Sequence, residues 1–180
     1  MTTLLTRRRF GCALCGAAAL LALPLSGCDK PQGSAAAGPI DFEPGTACDL
    51  DGMLLADYPG PKGQILYGDA KAPVYFCDTV ELVSTLLRPE QVRPVKGAWV
   101  QDMGKTDWAQ PRGQWIDAKA ALYVRGSKKH GSMGPTLATF AAEADASKFA
   151  AENGGKLLRF GEITPEMVDL SGGALHDSKM

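Results

Sequence analysis

Residues 73–100 read PVYFCDTVELVSTLLRPEQVRPVKGAWV, and this stretch decides the fold class. Pro73-Val-Tyr-Phe76 is rich in β-formers and reads as a short strand. Asp78 stands three residues before Glu81, the spacing of a capping box, so Thr79 to Leu87 reads as a helix. Pro89 and Pro94 lie beyond its end, where helices stop. Lys96-Gly-Ala-Trp-Val100 is the next strand. Upstream, Gln64-Ile-Leu-Tyr67 adds a strand, which makes the order strand-strand-helix-strand.

Further along, the order recurs. Trp115 to Tyr123 alternates and runs into LYVRGS, a strand, and Pro135 to Phe140 begins another element. Ala141 to Asn153 is alanine-rich and helical, with Gly154-Gly155 as its C-terminal signal. Lys156 to Phe160 is a strand. Thr164-Pro-Glu opens a short last helix, with Thr at the N-cap and Pro at the first helical position. The halves share pattern rather than residues. The expected fold is therefore α+β, built from two small pseudo-repeated ββαβ units over residues 46–103 and 104–170. A short tail, 171–180, follows and reads as flexible.

The units stand behind an export segment. Residues 1–27 combine a charged start (Arg7, Arg8, Arg9) with a short apolar run from Gly11 to Ser26, and read as a signal peptide rather than a membrane span. Arg7-Arg8-Arg9-Phe10 fits a twin-arginine signal, or the three arginines simply supply the charge of the start. Leu25-Ser26-Gly27-Cys28 has the form of a lipobox, which makes Cys28 the lipidated first residue of the mature chain. Asp29 behind it favours retention at the inner membrane. Residues 28–45, rich in Pro, Gly and Ala, read as a lipidated flexible tether. The expected location is the periplasm, on a lipid anchor.

Residues 1–27 hold three arginines and no acid, so of 19 basic and 20 acidic residues the mature chain keeps 16 and 20. That balance argues against a nucleic-acid partner. Gly-rich phosphate loops, Ser/His/Asp arrangements and the Cys/His spacing of structural zinc are absent from the sequence.

Sulfur carries the remaining chemistry. Of five cysteines, Cys12 and Cys15 fall in the signal and Cys28 takes lipid, which leaves Cys48 and Cys77. In an exported chain two cysteines form a disulfide in the simplest case. Alternatively, Cys48 and Met53 in ACDLDGM supply a thiolate and a thioether to copper(I), a soft ion that favours sulfur, with Gly52 letting the loop fold inward. Pro59-Gly60-Pro61 reads as a stiff turn closing that segment. The stretch 127–134, SKKHGSMG, reads as a glycine-rich loop that offers His130 and Met133, and it is expected to complete the site from the second unit. The competing readings are a solvated histidine and packing methionines; Met103 and Met167 fit the latter, and His176 and Met180 fall in the tail. Cys77, at a strand-to-helix junction, reads as a buried inert thiol.

Taken together, C-x4-M at 48–53, DYPGPKGQI at 57–65 and GSMG at 131–134, behind a lipobox, closely resemble the NosL family, the accessory lipoproteins of nitrous oxide reductase. The resemblance covers nearly all of the mature chain. It implies a periplasmic copper(I) carrier with Cys48 and Met53 as ligands, serving assembly of the reductase's copper centres. It implies partnership with an ABC-type membrane complex and its periplasmic subunit. The implied fold is two ββαβ units, similar to a domain of organomercurial lyase. Many relatives resemble Cys-x-Met or Cys-x-x-Cys-Gly-Met here, and this chain has Asp51 where some have the second cysteine.

The leading expectation is thus a monomeric, non-enzymatic copper(I) chaperone. A thiol enzyme, exchanging disulfides or cleaving metal–carbon bonds with Cys48 and Cys77, is the alternative. It is distinguished by whether those thiols converge beside an acid. A metal-free scaffold docking on the membrane complex is the third reading, and it predicts no converging sulfurs.

Overall fold

The computed structural model describes residues 38–171 apart from Pro89 and Gln91. The signal peptide, Cys28, most of the tether and all but the first residue of the tail lie outside the described residues.

Seven strands and two helices follow in the order β1 (Gly63–Tyr67), β2 (Val74–Phe76), α1 (Thr79–Leu87), β3 (Val95–Gln101), β4 (Trp115–Asp117), β5 (Leu122–Gly131), β6 (Gly134–Phe140), α2 (Glu143–Asn153) and β7 (Lys156–Arg159). They form two antiparallel sheets, ordered β2-β1-β3-β4 and β6-β5-β7. In each, the first strand of a ββαβ unit lies in the middle, flanked by the second and third. The expected repeat is therefore real at the level of topology. β4 follows Met103 in the chain but pairs with β3, with Val100 opposite Ile116. The alternation read from Trp115 to Tyr123 thus divides between two sheets.

Local signals placed the helices well. α1 spans Thr79–Leu87, and the Asp78 carboxylate accepts from the Val80 N–H at 2.9 Å. α2 ends at Gly154, whose φ of 75° is the left-handed conformation that glycine tolerates. The last element is a single 3₁₀ turn, Pro165–Val168, preceded by Thr164.

The alternation of side chains along β5 explains the layering. Tyr123 enters the main core, with Ile65, Phe76, Leu82 and Val100 from the first unit and Leu137 and Leu158 from the second. Leu122 and Val124 face the other way and pack with Phe140, Ala146 and Phe149 under α2. The central strand β1 is buried at all five positions, and its Gln64 exchanges two hydrogen bonds with the backbone of Ile40, at 3.0 and 2.9 Å. Phe42 is buried edge-on between Tyr75 and Trp115. The end of the stretch read as tether is thus docked on the first sheet. Among the described residues no helix is long and apolar enough to cross a membrane.

Candidate metal centre

Residues 46–55 fold back on themselves. The Leu55 N–H donates to the Thr46 carbonyl at 3.0 Å, the Cys48 N–H to the Met53 carbonyl at 2.8 Å, and the Gly52 N–H to the Cys48 carbonyl at 3.0 Å. Gly52 has φ +78°, and the Asp51 carboxylate accepts from the Met53 N–H at 2.9 Å. Cys48 and Met53 therefore oppose each other across one turn. Both pack in a small cluster with Phe42, Leu55 and Cys77, with Cys48 buried and Met53 half-buried.

Cys77 enters from the junction of β2 and α1. The Asp49 N–H donates to the Tyr75 carbonyl at 2.8 Å, which ties the Cys48 turn to the strand two residues before Cys77. Both cysteines are free thiols, and both donate to the same oxygen, Glu81 Oε2, at 3.3 Å. Cys77 also lies 3.7 Å from Asp51 Oδ2. One donor atom from each of Cys48, Asp51, Cys77 and Glu81 falls within 4.8 Å of the other three, with only Asp51 exposed.

Beneath Cys77 sits a buried cation. Lys62 Nζ donates to the carbonyls of Pro59 and Cys77 at 2.9 and 3.0 Å and lies 2.8 Å from Ser132 Oγ. The Ser132 hydroxyl donates to the same Cys77 carbonyl. Ser132 and Met133 form the two-residue turn between β5 and β6, so the tip of that hairpin is fastened to the backbone of Cys77.

Residues 39–168 match the NosL family. The chain belongs to this family. It is 38% identical over 166 residues to the copper-binding lipoprotein NosL of Stutzerimonas stutzeri, covering 89% of this chain and 86% of the relative. With the copper-binding lipoprotein NosL of Achromobacter cycloclastes it is 37% identical over 155 residues, covering 84% and 79%. The crystal structure of the copper chaperone NosL from Shewanella denitrificans superposes with a TM-score of 0.67 at 39% identity, covering 72% of this chain and 96% of that one.

Burial and close neighbours together set the electrostatics of the centre in this NosL-family chain. The Cys77 thiol is held well above the ordinary range, first by the Cys48 side chain beside it, then by burial and the neighbouring Glu81. Burial raises Glu81 too, against the two thiol hydrogen bonds it accepts. Lys62 is lowered to about 8 by burial, opposed by Asp78, Cys77, Glu81 and Cys48. The centre is a pair of free thiols converging on one Glu81 oxygen, with the enclosed Lys62 behind Cys77. Metal binding there must displace thiol protons.

Of the residues singled out from sequence, Cys48 and Met53 come together as their spacing suggested. Met133 is 42% exposed at the hairpin turn, next to Ser132 and hence one residue from direct contact with Cys77. SKKHGSMG is strand and turn rather than loop: β5 runs through His130 and Gly131. His130 is exposed, its carbonyl accepts from Trp108 Nε1 at 3.0 Å, and it lies outside the four-donor cluster. The Pro59-Gly60-Pro61 segment does not close the sulfur turn; it receives the hairpin. A Cβ on Gly60 would stand 2.7 Å from Gly131 Cα. Sequence reasoning passed over Glu81, read only as a capping residue, and Lys62. For Glu81 one signal was available: Cys77 and Glu81 are four residues apart around a helix start, a spacing that shares a face. Lys62 had none, because its acceptors come from Pro59, Cys77 and Ser132, three separate segments.

Proposed function

We propose that this chain is a copper(I) carrier of the periplasm, anchored to the membrane, with the inner membrane favoured, through lipid on Cys28. It binds the ion at Cys48 and Met53, with His130 and Met133 approaching from the hairpin. It passes the ion on for assembly of the copper centres of nitrous oxide reductase. The receiving machinery is an ABC-type membrane complex with its periplasmic subunit. The reading draws on the copper-binding and chaperone names of the relatives. The observation that carries it is a buried cysteine and a half-buried methionine facing each other across one short turn. Copper(I) selects thiolate and thioether donors, and a half-open site suits an ion that must leave again.

Competition against a copper(I)-specific chelator tests the reading. Cys48→Ser should lower affinity by more than the roughly 10–100-fold usual for a residue outside the ligand shell. Met133→Leu and His130→Ala should lower it less, because neutral donors bind more weakly than a thiolate. If Cys48→Ser binds copper(I) as the wild type does, the reading fails.

A second reading has a specific observation in its favour. Two thiols converge beside carboxylates, the arrangement that thiol chemistry on metal–carbon bonds requires. Incubation with an organomercurial and measurement of released hydrocarbon decides it. Stoichiometric binding without release leaves the carrier reading in place.

A further inference from the structure

We infer that Cys77 is the second thiolate of the copper site, so that the ion is held by a Cys48–Cys77 pair from two separate segments. The inference rests on the carrier reading above and deepens it by naming the ion's second strong donor.

Geometry supports it first. Both sulfurs lie 3.3 Å from Glu81 Oε2, and the ligand atoms of Cys48 and Cys77 are within 4.8 Å of each other. With metal–sulfur bonds of about 2.3 Å, two sulfurs sharing an ion stand at most about 4.6 Å apart. Both thiols face the same buried carboxylate, so a single ion entering there meets both with little rearrangement.

The backbone around Cys77 is also more constrained than an inert packing residue requires. Its carbonyl accepts from Lys62 Nζ and from the Ser132 hydroxyl, and the turn carrying Cys48 is hydrogen-bonded to Tyr75. Three segments therefore set the position of one thiol relative to the other. That is the preorganisation a chelating pair needs.

Charge is partly compensated nearby. Two thiolates on a monovalent ion carry one excess negative charge, and the enclosed Lys62, whose Nζ lies 3.0 Å from the Cys77 carbonyl, supplies a positive charge beside them. In binding, two S–H bonds break and two sulfur–copper bonds form. The two protons leave by way of the Glu81 and Asp51 carboxylates to water, and no atom changes oxidation state.

The test uses the mature protein under reducing, oxygen-free conditions, with copper(I) as the probe. Chelator competition compares wild type, Cys48→Ser and Cys77→Ser, and the circular dichroism of each metal-free variant reports folding. Cys77→Ser should lose affinity by at least about a hundredfold, comparable to Cys48→Ser. Copper-edge X-ray absorption of wild-type protein labelled with selenomethionine gives a second readout that needs no variant. Thioethers then scatter as selenium, and the expected sulfur count at copper is two. A count of one, or wild-type affinity in a folded Cys77→Ser beside a weakened Cys48→Ser, overturns the inference and leaves the carrier reading standing. Wild-type affinity in both variants overturns the carrier reading itself.

Discussion

Asp78 shows how one residue can serve both helix and interface at a cost. One carboxylate oxygen caps α1 and accepts from Thr136 Oγ1 at 2.7 Å. The other is buried without a hydrogen-bond partner. Burial raises the group from 3.8 to about 6. A folded-state value above the unfolded one means that Asp78 stabilises fully below pH 3.8, and that this contribution is lost as pH rises through about 6. Asparagine caps a helix about as well as aspartate, so Asp78→Asn keeps the cap and removes the titration. In urea unfolding of metal-free protein, the variant should gain on wild type between pH 4.5 and 7. The same stability difference at both pH values would show that Asp78 does not titrate across this range.

Among the elements, the β5–β6 hairpin has a placement that depends on missing side chains. Gly60 and Gly134 both have positive φ, at +80° and +94°. Only Gly60 meets backbone, with a Cβ 2.7 Å from Gly131 Cα, whereas a Cβ on Gly134 meets nothing within 4 Å. Gly134→Ala should therefore cost only the conformational term, about 1–3 kcal/mol. Gly60→Ala should cost a further 1–3 kcal/mol or so, because two main chains cannot move apart without lifting the hairpin. Chemical denaturation of the two variants gives the comparison. Equal losses would mean that the hairpin tip does not press on the Pro59–Pro61 segment. The lifted tip would also carry Ser132 away from Cys77, so Gly60→Ala should disturb the site as well as the fold.

At the scale of the whole molecule, the two ββαβ units share one core and cannot be independent. Phe76, Leu82 and Val100 from one unit pack with Tyr123, Leu137 and Leu158 from the other. The seam is also hydrogen-bonded: the Thr139 hydroxyl donates to the Gln101 carbonyl at 2.6 Å and the Thr79 hydroxyl to the Leu137 carbonyl at 2.6 Å. The mature chain should unfold in a single cooperative transition, with tryptophan fluorescence and far-ultraviolet circular dichroism coinciding. Leu137→Ala removes a shared side chain that is 1% exposed. It should shift both signals together, with a loss of about 2–5 kcal/mol. Two separated transitions would contradict a shared core.

What the sequence by itself determined are the features written within a few residues of each other. Asp78 and Glu81 marked the start of α1, Gly154 ended α2, and the doubled strand-strand-helix-strand order specified the topology. Cys48, Gly52 and Met53 are close enough in the chain for one turn to bring thiol and thioether together. Only the tertiary structure decided the rest. Cys48 and Glu81 are 33 residues apart, Cys77 and Asp51 are 26 apart, and Lys62 and Ser132 are 70 apart. Caps, turns and periodicity act through hydrogen bonds and side-chain contacts spanning about four residues. Contacts over these longer separations are set by which faces of the two sheets bury each other. Cys77 therefore reads along the chain as an inert thiol beside a helix, and becomes half of a thiol pair only when the turn carrying Cys48 is laid against β2.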